Sequence, residues 1–270
     1  MAKKKSTTSA KAASASPQKP HICFERIIPD GQDTERMVRR ALRSAMAESD
    51  GGSLNAADVI HRSRMAIIRS KQRQPGQELR GRVLHGSTAV QKKVEAIAHQ
   101  WEKNANIKFK FVKTGEAEIR IAFADDGSWS AVGRDALNTE YFPQHQPTMN
   151  YGWLNSSTSA TEYQRVVLHE FGHALGCIHE HQQPKFDRTW NKAKVLEYFS
   201  GSPNFWDEAD INHNVLQKYS PTGIAATNFD PDSIMLYMFE GELFSDNKGP
   251  TNDNKKLSAK DIAFIKKLYP

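Results

Sequence analysis

The sequence predicts a mixed α+β domain built around one dominant helix, and two observations carry that prediction. Short stretches before residue 125 alternate apolar and polar, Ile107, Phe109 and Phe111 and then Ile119, Ile121 and Phe123, which is the period of strands. Other stretches return apolar residues at helical spacing: Val90, Val94, Ile97, Ala98 and Trp101, and later Tyr163, Val167, Phe171, Ala174 and Leu175. Beyond residue 180 the pattern thins until a final helix. A sheet-and-helix upper half above a looser, mostly helical lower half follows. The chain has 270 residues, 38% of them hydrophobic, enough for one domain of ordinary size with an extension.

From the start of the chain, residues 1–20 are rich in Lys, Ser and Ala, lack large apolar side chains and are expected to be disordered. Despite Lys3, Lys4 and Lys5, no apolar run of a secretory signal follows, and no stretch approaches membrane-spanning length. A cytoplasmic location, or export without a classical signal, is the expectation. Through Gly76 there are 15 Lys/Arg against 7 Asp/Glu, a net of +8; the remainder is −2, giving the overall +6. The basic character therefore belongs to the N-terminal region, and its lysines read as a solvated tail rather than a nucleic-acid arm.

Residues 21–76 form an extension, partly helical over 33–48 through Met37, Ala41, Leu42 and Ala45, with breaks at Gly51-Gly52 and Gln72 to Gly76. A regulatory or localising role suits it. The catalytic domain is expected over 77–270. It opens with a strand over Leu79 to Leu84, continues through the helix and strands above, and adds a strand over Thr148 to Trp153. Ser159-Ala-Thr-Glu162 has the form of a capping box starting the dominant helix, and Ser258 caps a last helix bearing Ile262, Ile265 and Tyr269.

The dominant helix carries the chemistry. His169-Glu-Phe-Gly-His-Ala-Leu-Gly-Cys-Ile-His179 spells H-E-x-x-H-x-x-G-x-x-H. Four apart on a helix, His169 and His173 share a face and reach one metal ion. Glu170 lies about a third of a turn away, placed to hold a water. Gly176 can take φ > 0, so the chain can leave the helix and return His179 to the same ion. Three imidazoles leave a tetrahedral zinc with an open position, the arrangement of a catalytic site.

Some sixty residues on, Asp230-Pro-Asp-Ser-Ile-Met-Leu-Tyr237 contains Ser-Ile-Met-x-Tyr, which resembles the Met-turn of the metzincin metallopeptidases. His179-Glu180, the tyrosine two places after Met235, Asp187-Arg188, and Ser128-Trp-Ser-Ala-Val-Gly-Arg134 resemble the astacin-like branch, with matrixin-like features mixed in. The likeness spans roughly Leu79 to Pro270. It implies a zincin-like fold: a twisted mixed sheet and two long helices above a helical lower half, with the cleft between. It also implies a single catalytic Zn2+ on His169, His173 and His179, Met235 packed beneath them, and Tyr237 as a movable fifth ligand that swings to the oxyanion. An extended protein or peptide substrate would lie antiparallel to an edge strand, here expected at Thr148, Met149, Asn150, Tyr151, Gly152 and Trp153. Leu236 to Phe244 would shape the pocket after the scissile bond. Astacin domains usually carry two disulfides, whereas this chain has only Cys23 and Cys177.

The resulting reading is a monomeric zinc endopeptidase that hydrolyses peptide bonds through a zinc-activated water, with Glu170 as general base. Other readings remain: a zinc-binding interaction module with little turnover, an H-E-x-x-H hydrolase with Glu197 as third ligand, or a basic-tailed nucleic-acid binder. His181 is expected to face solvent. His21, His61, His85, His99, His145 and His213 have no partners at ligand spacing. Cys177 reads as a small buried hydrophobe. Cys23 is open to two further readings, a thiolate that keeps the enzyme latent as in matrixins, without the matrixin motif around it, or a disulfide with Cys177.

Overall fold

Six strands form the upper half of the computed structural model, which describes residues 22–27, 71–219 and 228–270. The basic tail, the helix expected over 33–48, Gly51-Gly52, His21 and His61 lie outside the described residues. The strands are β1 (Phe24–Arg26), β2 (Glu78–Val83), β3 (Lys108–Phe111), β4 (Ile119–Ala122), β5 (Ser128–Ala131) and β6 (Met149–Tyr151). Their spatial order is β1-β5-β6-β4-β2-β3. All neighbours are parallel except β5 and β6, so β1 and β5 run against the other four.

Parallel β2 and β3 need a crossover, and α1 (Thr88–Ala98) supplies it, with Val90, Val94 and Ala98 buried. Trp101 is not on that helix but on the 3₁₀ turn after it, where its indole nitrogen donates to the Leu168 carbonyl at 3.1 Å. Every residue of β4 is buried, although its sequence alternates. Arg120 accounts for the difference: its guanidinium donates to the carbonyls of Ala117, Phe142 and Gln146, so a charged residue sits inside with its donors satisfied.

The expected edge strand over Thr148 to Trp153 is corrected by this topology. β6 lies between β4 and β5, with both backbone edges engaged, and so offers no free edge to a substrate. The outer strand of the domain's sheet at the cleft is β5, within the Ser128 to Arg134 stretch. β1, from the N-terminal extension, pairs along it with Phe24 opposite Trp129.

The dominant helix is α2 (Ala160–Ala174), packed against α1 and β5. Ser159 Oγ accepts from the Glu162 amide at 3.2 Å, but the reciprocal half of the expected capping box is missing. The Glu162 carboxylate instead takes Arg165 and the Trp153 indole. A complete capping box occurs at Ser258 and Asp261, starting the last helix.

Below the cleft lie α3 (Lys192–Ser200), α4 (Glu208–Ile211) leading into a π-turn over Asn212–Leu216, and α5 (Ala259–Leu268). Their core is aromatic, with Phe186, Phe199, Phe239 and Phe244 at most 1% exposed and Trp190 stacked on Phe244. The expected domain start at Gln77 cuts through a packed stretch. Lys71 and Arg73 are buried: Lys71 pairs with Asp135, and Arg73 donates to the Tyr269 hydroxyl and the Ala174 carbonyl. Residues 71–76 therefore belong to the domain. Among the described residues no helix is long and apolar enough to cross a membrane.

Candidate metal centre

The end of α2 is a complete Schellman turn. The Gly176 amide donates to His173 and the Cys177 amide reaches back to Gly172, at 2.8 and 3.0 Å, with Gly176 at φ +97°. A side chain at Gly176 would be strained there, which is why the motif needs glycine. The reversal carries the chain back so that His179 meets the two helical histidines. All three rings are buried, at 0–1% exposure.

Their orientation is set by the other ring nitrogen of each. His169 Nδ1 donates to the Ile234 carbonyl, His173 Nδ1 to the Cys177 carbonyl and His179 Nδ1 to Gln182 Oε1, each at 2.9 Å. Gln182 cannot be flipped, because its amide nitrogen donates to the carbonyls of His213 and Gln217. Every Nδ1 is thus the protonated nitrogen, and the three Nε2 atoms present lone pairs to one another. His173 Nε2 stands 3.2 Å from His169 Nε2 and 3.0 Å from His179 Nε2.

Three converging lone pairs repel unless a cation lies between them. Imidazoles around a tetrahedral zinc would hold their nitrogens roughly 3.3 Å apart, so the donor set fits that ion. Burial pushes the proton affinity of all three rings down, that of His173 to about 4, which keeps them neutral and able to ligate.

Met235 lies directly under this site at 4% exposure. A Cβ built on Gly172 would come within 2.5 Å of its sulfur. The segment is tied down from the last helix: Asp261 accepts from the Ser233 hydroxyl and the Ile234 amide. Tyr237 brings its hydroxyl to His179 Nε2 and to the Cys23 carbonyl. Glu170 is fully buried beside the histidines, and neither carboxylate oxygen has a hydrogen-bond partner. Desolvation raises its pKa well above the ordinary carboxylate value, with the nearby Cys23 thiol and Arg165 pulling the other way.

Two residues of the extension enter the site. Cys23 Sγ, a Glu170 oxygen and a His169 nitrogen lie within 4.8 Å of one another. Glu25, also buried, accepts from the Tyr219 hydroxyl and has its second oxygen 3.6 Å from His173 Nδ1 and 3.9 Å from His179 Nδ1. Cys23 and Cys177 are both free thiols, so the disulfide reading is overturned.

The remaining candidates separate cleanly. His181 does not face solvent: it is 0% exposed, stacks on His179 and meets the Asn214 carbonyl at 3.0 Å. Its proximity to three other aromatic side chains made burial cheaper than exposure. Glu197 sits on exposed α3, 2.9 Å from Lys194, and is no ligand. Glu180 accepts from the Asp230 amide and Gln183, which leaves it engaged within the domain. Gln182 and Glu25 escaped the sequence reading, since neither stands at a ligand spacing; only the position of Gln182 three after His179 pointed that way.

Against known proteins, the matrixin family model matches residues 82–186. Zinc metalloproteinase nas-23 of Caenorhabditis elegans is 27% identical over 57% of this chain and 25% of its own length. Tolloid-like protein 1 of Mus musculus is 25% identical over 65% of this chain and 16% of its own. The match thus spans a quarter or less of these relatives. The solved structure of myroilysin is 40% identical, with a TM-score of 0.72, covering 76% of this chain and 98% of that one.

Proposed function

The chain belongs to the astacin-like metzincin metallopeptidases, and on that premise we propose that it is a monomeric zinc endopeptidase cleaving extended protein segments, with Glu170 as its general base. One observation carries the reading most directly: three Nε2 lone pairs converge beside a buried carboxylate that has no other partner. An interaction module has use for the histidines but none for that carboxylate.

Zinc held by the three imidazoles supplies Lewis acidity, polarising the carbonyl and making water a nucleophile at neutral pH. Glu170 orients that water, takes its proton and hands the proton to the departing amine. Burial suits it to both transfers by raising its proton affinity. Tyr237 has one hydroxyl proton and two acceptors in reach, His179 Nε2 and the Cys23 carbonyl. With Nε2 committed to the metal, the proton goes to the carbonyl. The Cys23 carbonyl is then a stand-in for the scissile carbonyl of a substrate, and Tyr237 would serve that oxygen in the transition state.

An extended substrate adds to β5 in the place β1 holds. Residues 22–27 consequently keep the described state closed: Cys23 fills the space beside Glu170, and β1 covers the edge. Because a thiolate is itself a zinc donor, this supports the latent reading of Cys23.

The test uses zinc-loaded full-length protein, wild type and Cys23→Ala, on an unstructured protein with and without chelator. Glu170→Ala in the Cys23→Ala background should keep its zinc and lose turnover by several orders of magnitude. Near-normal cleavage by that double variant would place the chemistry elsewhere.

A further inference from the structure

We infer that the cavity beside β5 is a specificity pocket for a basic side chain, Lys or Arg, among the substrate residues that follow the scissile bond. The inference rests on the peptidase reading above and adds to it a substrate class. The cavity, about 420 Å3, opens between the strand end at Asp125–Gly127 and the lower half at 203–214. Asp125 and Asp126 line its upper wall, Asp210 and Asn214 its lower wall, and the Trp206 indole contributes an apolar surface.

Acidic side chains alone would not make a site. Asn214 is the second observation. It is 4% exposed, and its amide nitrogen is anchored to the Asp210 carbonyl at 3.0 Å. That leaves Oδ1 buried without a hydrogen-bond partner at the cavity wall. A buried acceptor with no donor is a cost the fold tolerates where a ligand supplies the donor. A Lys ammonium or Arg guanidinium has donors and no acceptors, which matches a wall of carboxylates and one orphan carbonyl. Its aliphatic stem would lie along Trp206.

A metal ion fits this wall less well. Among the described residues, only the three histidines and the Cys23, His169, Glu170 group bring ligand atoms within 4.8 Å of one another. The oxygens of the cavity are therefore spread along it, which suits a long cationic side chain. The extension already shows the complementarity: Arg26 lies over the Trp129 ring, 3.6 Å from its centroid, with its guanidinium 4.0 Å from Asp126.

Register sets the position in the substrate. β1 runs parallel to β5, and Ile22, just before Cys23, lines the cavity. A substrate running antiparallel to β5 reverses that direction, so this end of the cleft receives residues after the scissile bond.

The test compares peptides that differ only by Lys, Ala or Glu at each of the first three positions after the cleaved bond. Zinc-loaded full-length Cys23→Ala protein should cut them in the order Lys, Ala, Glu at one of those positions. The kcat/KM ratio of Lys to Glu should be about tenfold or more. Asp210→Asn, close to isosteric, should bring that ratio to within about twofold, as should Asp125→Asn. Cleavage with no basic preference, or a preference untouched by both variants, overturns the pocket while leaving the peptidase reading intact. Calorimetric titration of the same peptides into Cys23→Ala/Glu170→Ala protein separates the two ideas without turnover. Preferential binding of the Lys peptide, weakened by Asp210→Asn, supports the pocket even if no peptide is cut; equal binding of Lys and Glu peptides overturns it.

Discussion

Each ligand histidine is held by a different kind of partner: a Met-turn carbonyl, a carbonyl of the helix's own C-terminal turn, and the Gln182 side chain. Of the three, only Gln182 can be changed without moving backbone. It links the site to the lower half through the His213 and Gln217 carbonyls. Gln182→Ala should therefore free the His179 ring and lower zinc affinity by about 10- to 100-fold, the usual effect of losing an orienting partner. Competition with a chromophoric chelator measures it, and wild-type affinity in Gln182→Ala would show that His179 is held by packing alone. The ligands were legible in the sequence because their spacing follows from helix geometry and one glycine. Gln182 was not, because what makes it an orienting residue is the pair of carbonyls delivered from thirty residues downstream. His181 was misread for a related reason: adjacency to a ligand says nothing of the aromatic cluster that encloses it.

Among the elements, α2 serves as both core and active-site wall, and Gly172 shows how tightly the two roles are packed. It lies on the turn between His169 and His173, over the Met235 sulfur. Gly172→Ala gains helix propensity but drives a methyl into a buried thioether, so overpacking should win and destabilise the domain by about 1–3 kcal/mol. Thermal melts of the zinc-loaded protein should fall by roughly 2–10 °C. Met235→Ala in the Gly172→Ala background should recover part of the loss, a coupling that independent sites would not show. Equal stability of Gly172→Ala and wild type would mean that Met235 moves aside freely. The upper elements were readable since β2, β3, β4 and α1 each repeat their period over several residues. β5 was not: all four of its residues are buried, so Ser128-Trp-Ser-Ala carries no alternation, and the edge was assigned to β6 instead. The lower half has no period to read either, because its core is made of single aromatics contributed by loops.

At the scale of the whole molecule, the region before residue 77 divides into two parts with opposite effects. Residues 71–76 are structural: Lys71 pairs with Asp135, Gln72 donates to Leu268 at 2.8 Å, and Arg73 is 1% exposed. The Lys71 carbonyl fills the space at Gly133, where a Cβ would stand only 2.0 Å from it. Residues 22–27, by contrast, cover the β5 edge and put Cys23 beside Glu170, where substrate has to go. The charge step at Gly76 marked a boundary, but composition cannot register the seating of a few buried polar residues, so the cut fell six residues too late. Two shortened chains separate the parts. One beginning at Lys71 should fold, bind zinc and cleave an unstructured protein at least about tenfold faster than the full chain. It has lost a tethered occupant of the cleft, whose effective concentration is commonly millimolar. One beginning at Gln77 also loses the Lys71 and Arg73 contacts, so it should melt at a clearly lower temperature. The full-length Cys23→Ala protein should lie between the full chain and the Lys71 start in rate, since β1 still pairs with β5 when the thiol is gone. If the Lys71 start cleaves no faster than the full chain, residues 22–27 do not restrain the cleft. If the Gln77 start is as stable as the Lys71 start, residues 71–76 are dispensable and the domain begins where the strand pattern does.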